Sequence, residues 1–265
     1  VGSAWALPPP PPSASSPAWD RERFAPYFGE GALRAAKEAF DHRRFAEART
    51  LLLAAEATPP VRFLAALAAL QAQDAEVAAP AFEALAVDYP ALEDRCLLHA
   101  GQAFEQLADW ASAERVYGRL APGSRLAAEV ALGRARALRQ LARPAEAAEV
   151  LQTLAAQAAP PWGRDLPAEA LLELADALAA AADAPGARDA LLRLWSQHPV
   201  APQARRAQER LGEVAALPAT AVVARGEGLI EAHHNAEGEA LLAPVVERRP
   251  QPDPLGCRAA DAVGR

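Results

Sequence analysis

The sequence predicts an all-α fold, a solenoid of stacked helix pairs interrupted by one unpaired helix. Three observations predict it. Alanine fills 71 of 265 positions, and it is the best helix former while adding little buried area of its own. β-Branched residues, on which sheets largely depend, are scarce: 14 Val, 4 Thr and a single Ile. The third is a pair of small residues that recurs six times at near-constant spacing.

Two packed helices approach closely only where the side chains at the crossing are small, and larger side chains fill the space beside it. Ala36 pairs with Ala48 and is followed by Leu52; Ala66 pairs with Ala78, then Phe82. Gly101 pairs with Ala113, then Tyr117, and Ala135 with Ala147, then Leu151. Ala175 pairs with Ala187, then Leu191, and Gly226 with Gly238, then Leu242. Prolines at 60, 90, 199 and 250 punctuate the series. This is the tetratricopeptide pattern, most complete over Ala100-Gly101-Gln102-Ala103-Phe104 and Trp110 to Tyr117. The second small residues step by 30, 35, 34, 40 and 51, around the 34 residues of such a repeat. The step of 40 absorbs the loop Ala159-Pro160-Pro161-Trp162-Gly163. The step of 51 leaves room for one unpaired helix, Ala201 to Leu217, which is expected to bend the solenoid or change its hand. A further helix is expected from Leu255. Three stretches follow: a Pro-rich segment over 1–18, the solenoid over 19–217, and a continuing repeat over 218–265.

The net charge of −7 argues against a nucleic-acid partner, because neutralising phosphates needs clustered positive charge. No apolar run approaches the roughly 20 residues of a membrane span. Val1 to Ala6 ends in Ala4-Trp5-Ala6, and a proline run from Pro8 to Pro12 follows. Small-x-small ahead of an extended spacer fits the remnant of an export signal, so a periplasmic or otherwise exported location is expected. With no Met and an end inside a repeat, the sequence reads as a piece of a longer protein.

No catalytic, metal or cofactor site is expected. Cys96 and Cys257 lie far apart, with no Cys or His at ligand spacing. His233 and His234 are neighbours, which project about 100° apart on a helix and share a metal poorly; with Asn235 they fall at an inter-helix turn. His42, His99 and His198 stand apart from one another. Gly226-Glu227-Gly228 lacks the third glycine and preceding strand of a phosphate loop. The acidic residues, Glu146 and Glu149 among them, are expected to pair locally with arginine along helix faces. Helical phase places Arg95, Gln102, Glu105, Arg136, Arg139 and Asp176 on the inner surface lined by the first helix of each pair. A polar groove of mixed charge suits a protein or glycan partner.

From Leu171 to Val246 the chain resembles the helical superhelix of periplasmic soluble lytic murein transglycosylases. Leu171 to Leu178 carries the likeness, with Leu191 to Pro199, the unpaired helix, and Leu229 to Asn235. The weaker repeats extend it over about residues 30–265. The resemblance implies a non-catalytic superhelical part of an exported enzyme that acts on peptidoglycan. In that family a C-terminal lysozyme-like domain cleaves the glycan with a Glu followed by Ser, a dipeptide absent here, so no catalytic residue carries over. The alternative is an envelope scaffold that binds other proteins with no enzyme attached.

Overall fold

The computed structural model describes residues 27–121, 123–158, 163–248 and 253–264, and the regular elements among them are all helical. In chain order the α-helices are α1 (Gly31–Asp41), α2 (Phe45–Leu53), α3 (Pro59–Gln71), α4 (Ala75–Asp88), α5 (Glu93–Gln106), α6 (Trp110–Tyr117) and α7 (Ala127–Gln140). After them come α8 (Pro144–Ala155), α9 (Leu166–Ala180), α10 (Ala184–Gln197), α11 (Pro202–Leu211), α12 (Ala219–Glu231), α13 (Asn235–Arg248) and α14 (Pro254–Val263). Each helix packs mainly on the next except α11, which packs on α10 and α9 but not on α12, and first helices of successive pairs also touch: α3 on α5, α5 on α7, α7 on α9. Stacking in which each unit meets only its neighbours defines a solenoid. The protein is an all-α solenoid of tetratricopeptide-like pairs.

All six spaced triplets lie inside this packing. Each of their small residues, and the large residue that follows, is buried. The space at the crossings is tight enough to be measured. A methyl on Gly226 would fall 2.5 Å from the Leu242 side chain, and one on Gly238 2.7 Å from Ile230. Tyr117 occupies a slot formed by two absent side chains, since its ring blocks a methyl on Gly101 and lies 2.6 Å from one built on Gly133. Gly133 belongs to α7, so one tyrosine on α6 fills the space left on both α5 and α7.

The turns inside the six pairs share one geometry. Arg43, Gln73, Ala108, Ala142, Ala182 and His233 each have a left-handed backbone, with φ between 55° and 64°. Each stands five residues before the second small residue of its pair. The following N–H reaches back to a carbonyl in the last turn of the first helix, as from Arg143 to Leu138 and Asp183 to Leu178, both 2.9 Å. This is a Schellman stop, which usually carries glycine because a Cβ is penalised there. Three of these turns carry alanine, whose side chain makes no local hydrogen bond to offset that penalty. Ala142→Gly is therefore expected to stabilise the fold by about 0.5–1 kcal/mol, the strain relieved less the extra chain entropy lost. A urea-unfolding midpoint that falls, as for glycine placed inside a helix, would contradict this.

The unpaired helix is shorter than the 201–217 expected. It ends at Leu211, where Gly212 takes φ +86°, and a 3-10 turn follows at Val214–Ala216. Glycine permits that backbone, and the chain breaks direction so that α12 packs back on α10. The Pro-rich segment 1–18 and positions 160–162 and 250 lie outside the described residues. Pro60 belongs to the first turn of α3 rather than to a stop after α2, a position that tolerates a missing N–H.

Candidate functional site

Four of the six groove positions meet, and they meet each other. On α7 the Arg136 guanidinium donates to both oxygens of Glu105 on α5, at 3.2 Å each. One turn on, Arg139 bonds Glu173 of α9 and lies 3.7 Å from Asp176. Asp176 in turn accepts from Arg210 of α11 at 2.7 Å. The result is a ladder of alternating charge that crosses four alternate helices, α5, α7, α9 and α11. Glu227 of α12 pairs with Arg258 of α14 in the same manner. Glu173 and Arg210 escaped the reading by helical phase, because Glu173 lies two residues before the small position rather than one or four after it. The local pairing expected of the acids holds for Glu146, with Arg143. The groove pairs instead span 31 to 37 residues, one repeat.

Half-exposed ion pairs stabilise little one by one, but this ladder has a second role. It pairs the charges of Glu105, Arg136, Arg139 and Asp176 within the face and leaves that stretch polar and close to neutral. Arg95 and Gln102 do not join it. Arg95 is exposed at the start of α5, beside Gly123 to Leu126, and Gln102 Oε1 accepts from His99 Nδ1 at 2.9 Å. A second ladder runs elsewhere: Glu83 of α4 takes Arg115 of α6 at 2.6 Å, and Glu114 of α6 takes Arg134 of α7 at 2.8 Å. The Arg115 guanidinium holds the Glu83 carboxyl below its usual range.

His99 is not the solitary residue the sequence suggested. Its ring packs against Phe82 and Phe63, with centroids at 5.1 and 6.1 Å. Burial pushes its pKa below the usual value, against the opposing hydrogen bond that the ring donates to Gln102, and nearby Arg95 adds to the depression. The unfolded chain therefore takes up this proton first as pH falls below about 6.5. Stability from His99 is complete above that pH and is lost below it. The slope of unfolding free energy between pH 6.5 and 5 is expected to be shallower in His99→Gln; equal slopes would remove His99 from the effect.

The remaining candidates have structural places. His198 is 3% exposed and its Nδ1 donates to Asp165 at 2.8 Å, while Asp165 caps α9 through the Ala168 N–H at 3.0 Å. One carboxylate thus ties the start of α9 to the end of α10. His233 is the left-handed turn residue and His234 precedes α13. Gly226 to Gly228 lie on α12. Cys96 is buried and its thiol is pushed up to about 11 by burial, so it is inert, and Cys257 is half-buried and free. Among the described residues no group of three or more His, Cys, Asp or Glu is placed to hold a metal ion, and no helix is long and apolar enough to cross a membrane. An apolar cavity of about 590 Å³ lies by Val214, Leu217, Val222, Leu241 and Val245, with Arg248 the one charged side chain in its wall; it lacks the converging polar groups that orient a reacting ligand.

No known family's sequence profile matches the chain, and no curated protein matches it. Among solved structures, one that is similar is the TPR2AB domain of yeast Sti1 in its pHSP90 complex. It is 13% identical, with 85% of this chain and 95% of that chain covered and a TM-score of 0.28. A superposition that loose leaves the fold to be argued from the helix packing itself, as above.

Proposed function

We propose that the chain is a protein-interaction scaffold that holds a partner polypeptide along the face lined by α5, α7, α9 and α11. The observation that supports this reading is the polar ladder, a continuous face far longer than a small-molecule site. A photo-crosslinking residue placed at Gln102 or Arg136 is expected to capture a discrete partner in cells. The same residue at Glu149 or Arg188, both exposed on second helices, is expected not to. Identical capture from both sets would end the proposal.

A second reading is favoured by the order of pair, unpaired helix and pair over α9 to α13, the order on which the transglycosylase resemblance rests. In it the chain is the non-catalytic superhelical part of an exported peptidoglycan enzyme and positions the glycan. Export would rest on Ala4-Trp5-Ala6, which lies outside the described residues. Purified sacculi would then retain the chain on sedimentation and release no soluble muropeptides. Failure to sediment would sink this second reading and leave the first standing.

A further inference from the structure

The break after α11 leaves a space in the solenoid, away from the charge ladder. At Gly212 the chain departs for α12 without packing α11 on α12. The turn that joins them, Val214–Ala216, stands clear of α13. The gap bounded by that turn, the start of α12 and α13 is the apolar cavity of about 590 Å³. Along α13 its wall is one stripe: Ala240, Leu241, Pro244, Val245 and Arg248, spaced to share a helix face. From Ala240 to Arg248 the axis runs about 12 Å at 1.5 Å per residue, the length of an extended chain of about ten carbons. Leu217, Val222 and Val245 are buried at the bottom, while Ala215 and Ala240 are exposed at the mouth.

Such a trough gives water few polar partners, and burial of a hydrocarbon chain in it is favourable in proportion to the apolar area covered. Its volume is that of a small-molecule site. The charge lies at one end, because Arg248 is the last residue of α13. Its stem lines the wall while the exposed guanidinium reaches water. Arg136, Arg139 and Arg210 each hold a carboxylate, but among the described residues Arg248 has no ion-pair partner. A bare helix C-terminus repels an anion, so recognition of an anionic head group falls on Arg248 alone. We propose that this trough binds one single-chain fatty carboxylate of about ten carbons, its chain laid along α13 and its carboxylate on Arg248. The ligand is held and not transformed, and the site is separate from the face assigned to a partner polypeptide.

The test titrates the full chain with decanoate, decanol and decyltrimethylammonium, each below its micellar concentration, in a calorimeter. Decanoate is expected to saturate one site and to bind about threefold or more tighter than decanol, with decyltrimethylammonium weakest. Over shorter carboxylates the affinity is expected to rise about fourfold per methylene, the transfer value of a buried CH₂, and to level off once the chain outgrows the trough. Arg248→Glu is expected to cost decanoate about fivefold or more, leave decanol within about twofold, and reverse the order of the two charged probes. Ala240→Trp fills the mouth from an exposed position and is expected to cost decanoate and decanol about tenfold or more. Both variants replace exposed residues, and thermal unfolding near the parent's shows that they fold. Saturating decanoate is expected to slow amide exchange in α12 and α13 and leave α1 to α8 unchanged. Absence of saturable binding, or binding that both variants leave unchanged, overturns the proposal. Decanol bound as tightly as decanoate overturns the role of Arg248. A photo-crosslinker at Ala240 that captures a protein in cells, with no binding of decanoate, overturns the fatty carboxylate in favour of a polypeptide.

Discussion

Tyr117→Ala is expected to cost 3–5 kcal/mol, the range for removing a large aromatic from a packed interior. The ring is 2% exposed and sits where Gly101 and Gly133 supply no side chain, so neither helix has atoms that can relax into the space. Its hydroxyl donates to Glu105 at 2.8 Å. Tyr117→Phe removes only that bond, and Glu105 keeps Arg136, so about 1 kcal/mol is expected. The slot makes a sharper test through sign. Gly133→Ala gains about 1 kcal/mol of helix propensity but drives its methyl into the tyrosine ring, an overpacking cost of about 1–3 kcal/mol. In the parent the change is expected to destabilise or at best break even. In the Tyr117→Ala background the methyl enters vacated space and the substitution is expected to stabilise. Urea unfolding of the four proteins gives the coupling directly. If Gly133→Ala shifts the midpoint equally in both backgrounds, the ring does not fill the slot.

The repeat register was legible because it depends on the one property a sequence displays without ambiguity, side-chain size at fixed intervals. Ala36, Ala66 and their partners are marked out not by being alanine, which fills 71 of 265 positions, but by the fixed spacing of twelve residues with a larger side chain four residues on. Gly133 was missed because it lies two residues before its crossing position and answers to Tyr117 of the preceding helix rather than to its own partner. The left-handed turns were hidden by composition. Arg43, Gln73, Ala108, Ala142, Ala182 and His233 share a backbone state but not one residue type throughout, and the glycine that would mark such a turn is absent from all six. Aligning the repeats on their second small residue would have exposed the shared position. The length of α11 was misjudged because Gly212 reads as one weak helix residue until its positive φ shows it to be the stop. In the groove, phase placed Glu105, Arg136, Arg139 and Asp176 on one face. That they neutralise one another depends on the distance between neighbouring repeats, which no single helix records.

Where α11 breaks the regular order, the solenoid depends on a joint between α10 and α12, and the largest local effect is expected there. Trp195 is 1% exposed. The Arg225 guanidinium lies 5.0 Å from its ring centroid, and Nη1 donates to the Trp195 backbone carbonyl at 2.6 Å. Arg225 is half-buried, and burial draws its pKa below the usual value, so its charge is held there at some cost and needs these two partners. Arg225→Met keeps most of the apolar stem and removes a charge-assisted hydrogen bond with a cation–π contact, an expected loss of about 2–3 kcal/mol. Trp195→Ala is expected to lose 3–5 kcal/mol. The two should differ in reach. Stability in a solenoid is roughly a sum of unit and nearest-neighbour terms, so a weakened joint loosens what lies beyond it. Arg225→Met is expected to speed amide hydrogen exchange in α12 to α14 and leave α1 to α8 at their parent rates. Trp195→Ala, a core residue of α10 itself, is expected to loosen α9 and α10 as well. Equal acceleration across all helices in both variants would mean that the array unfolds as one unit and that the Arg225–Trp195 contact is not a joint between separable parts.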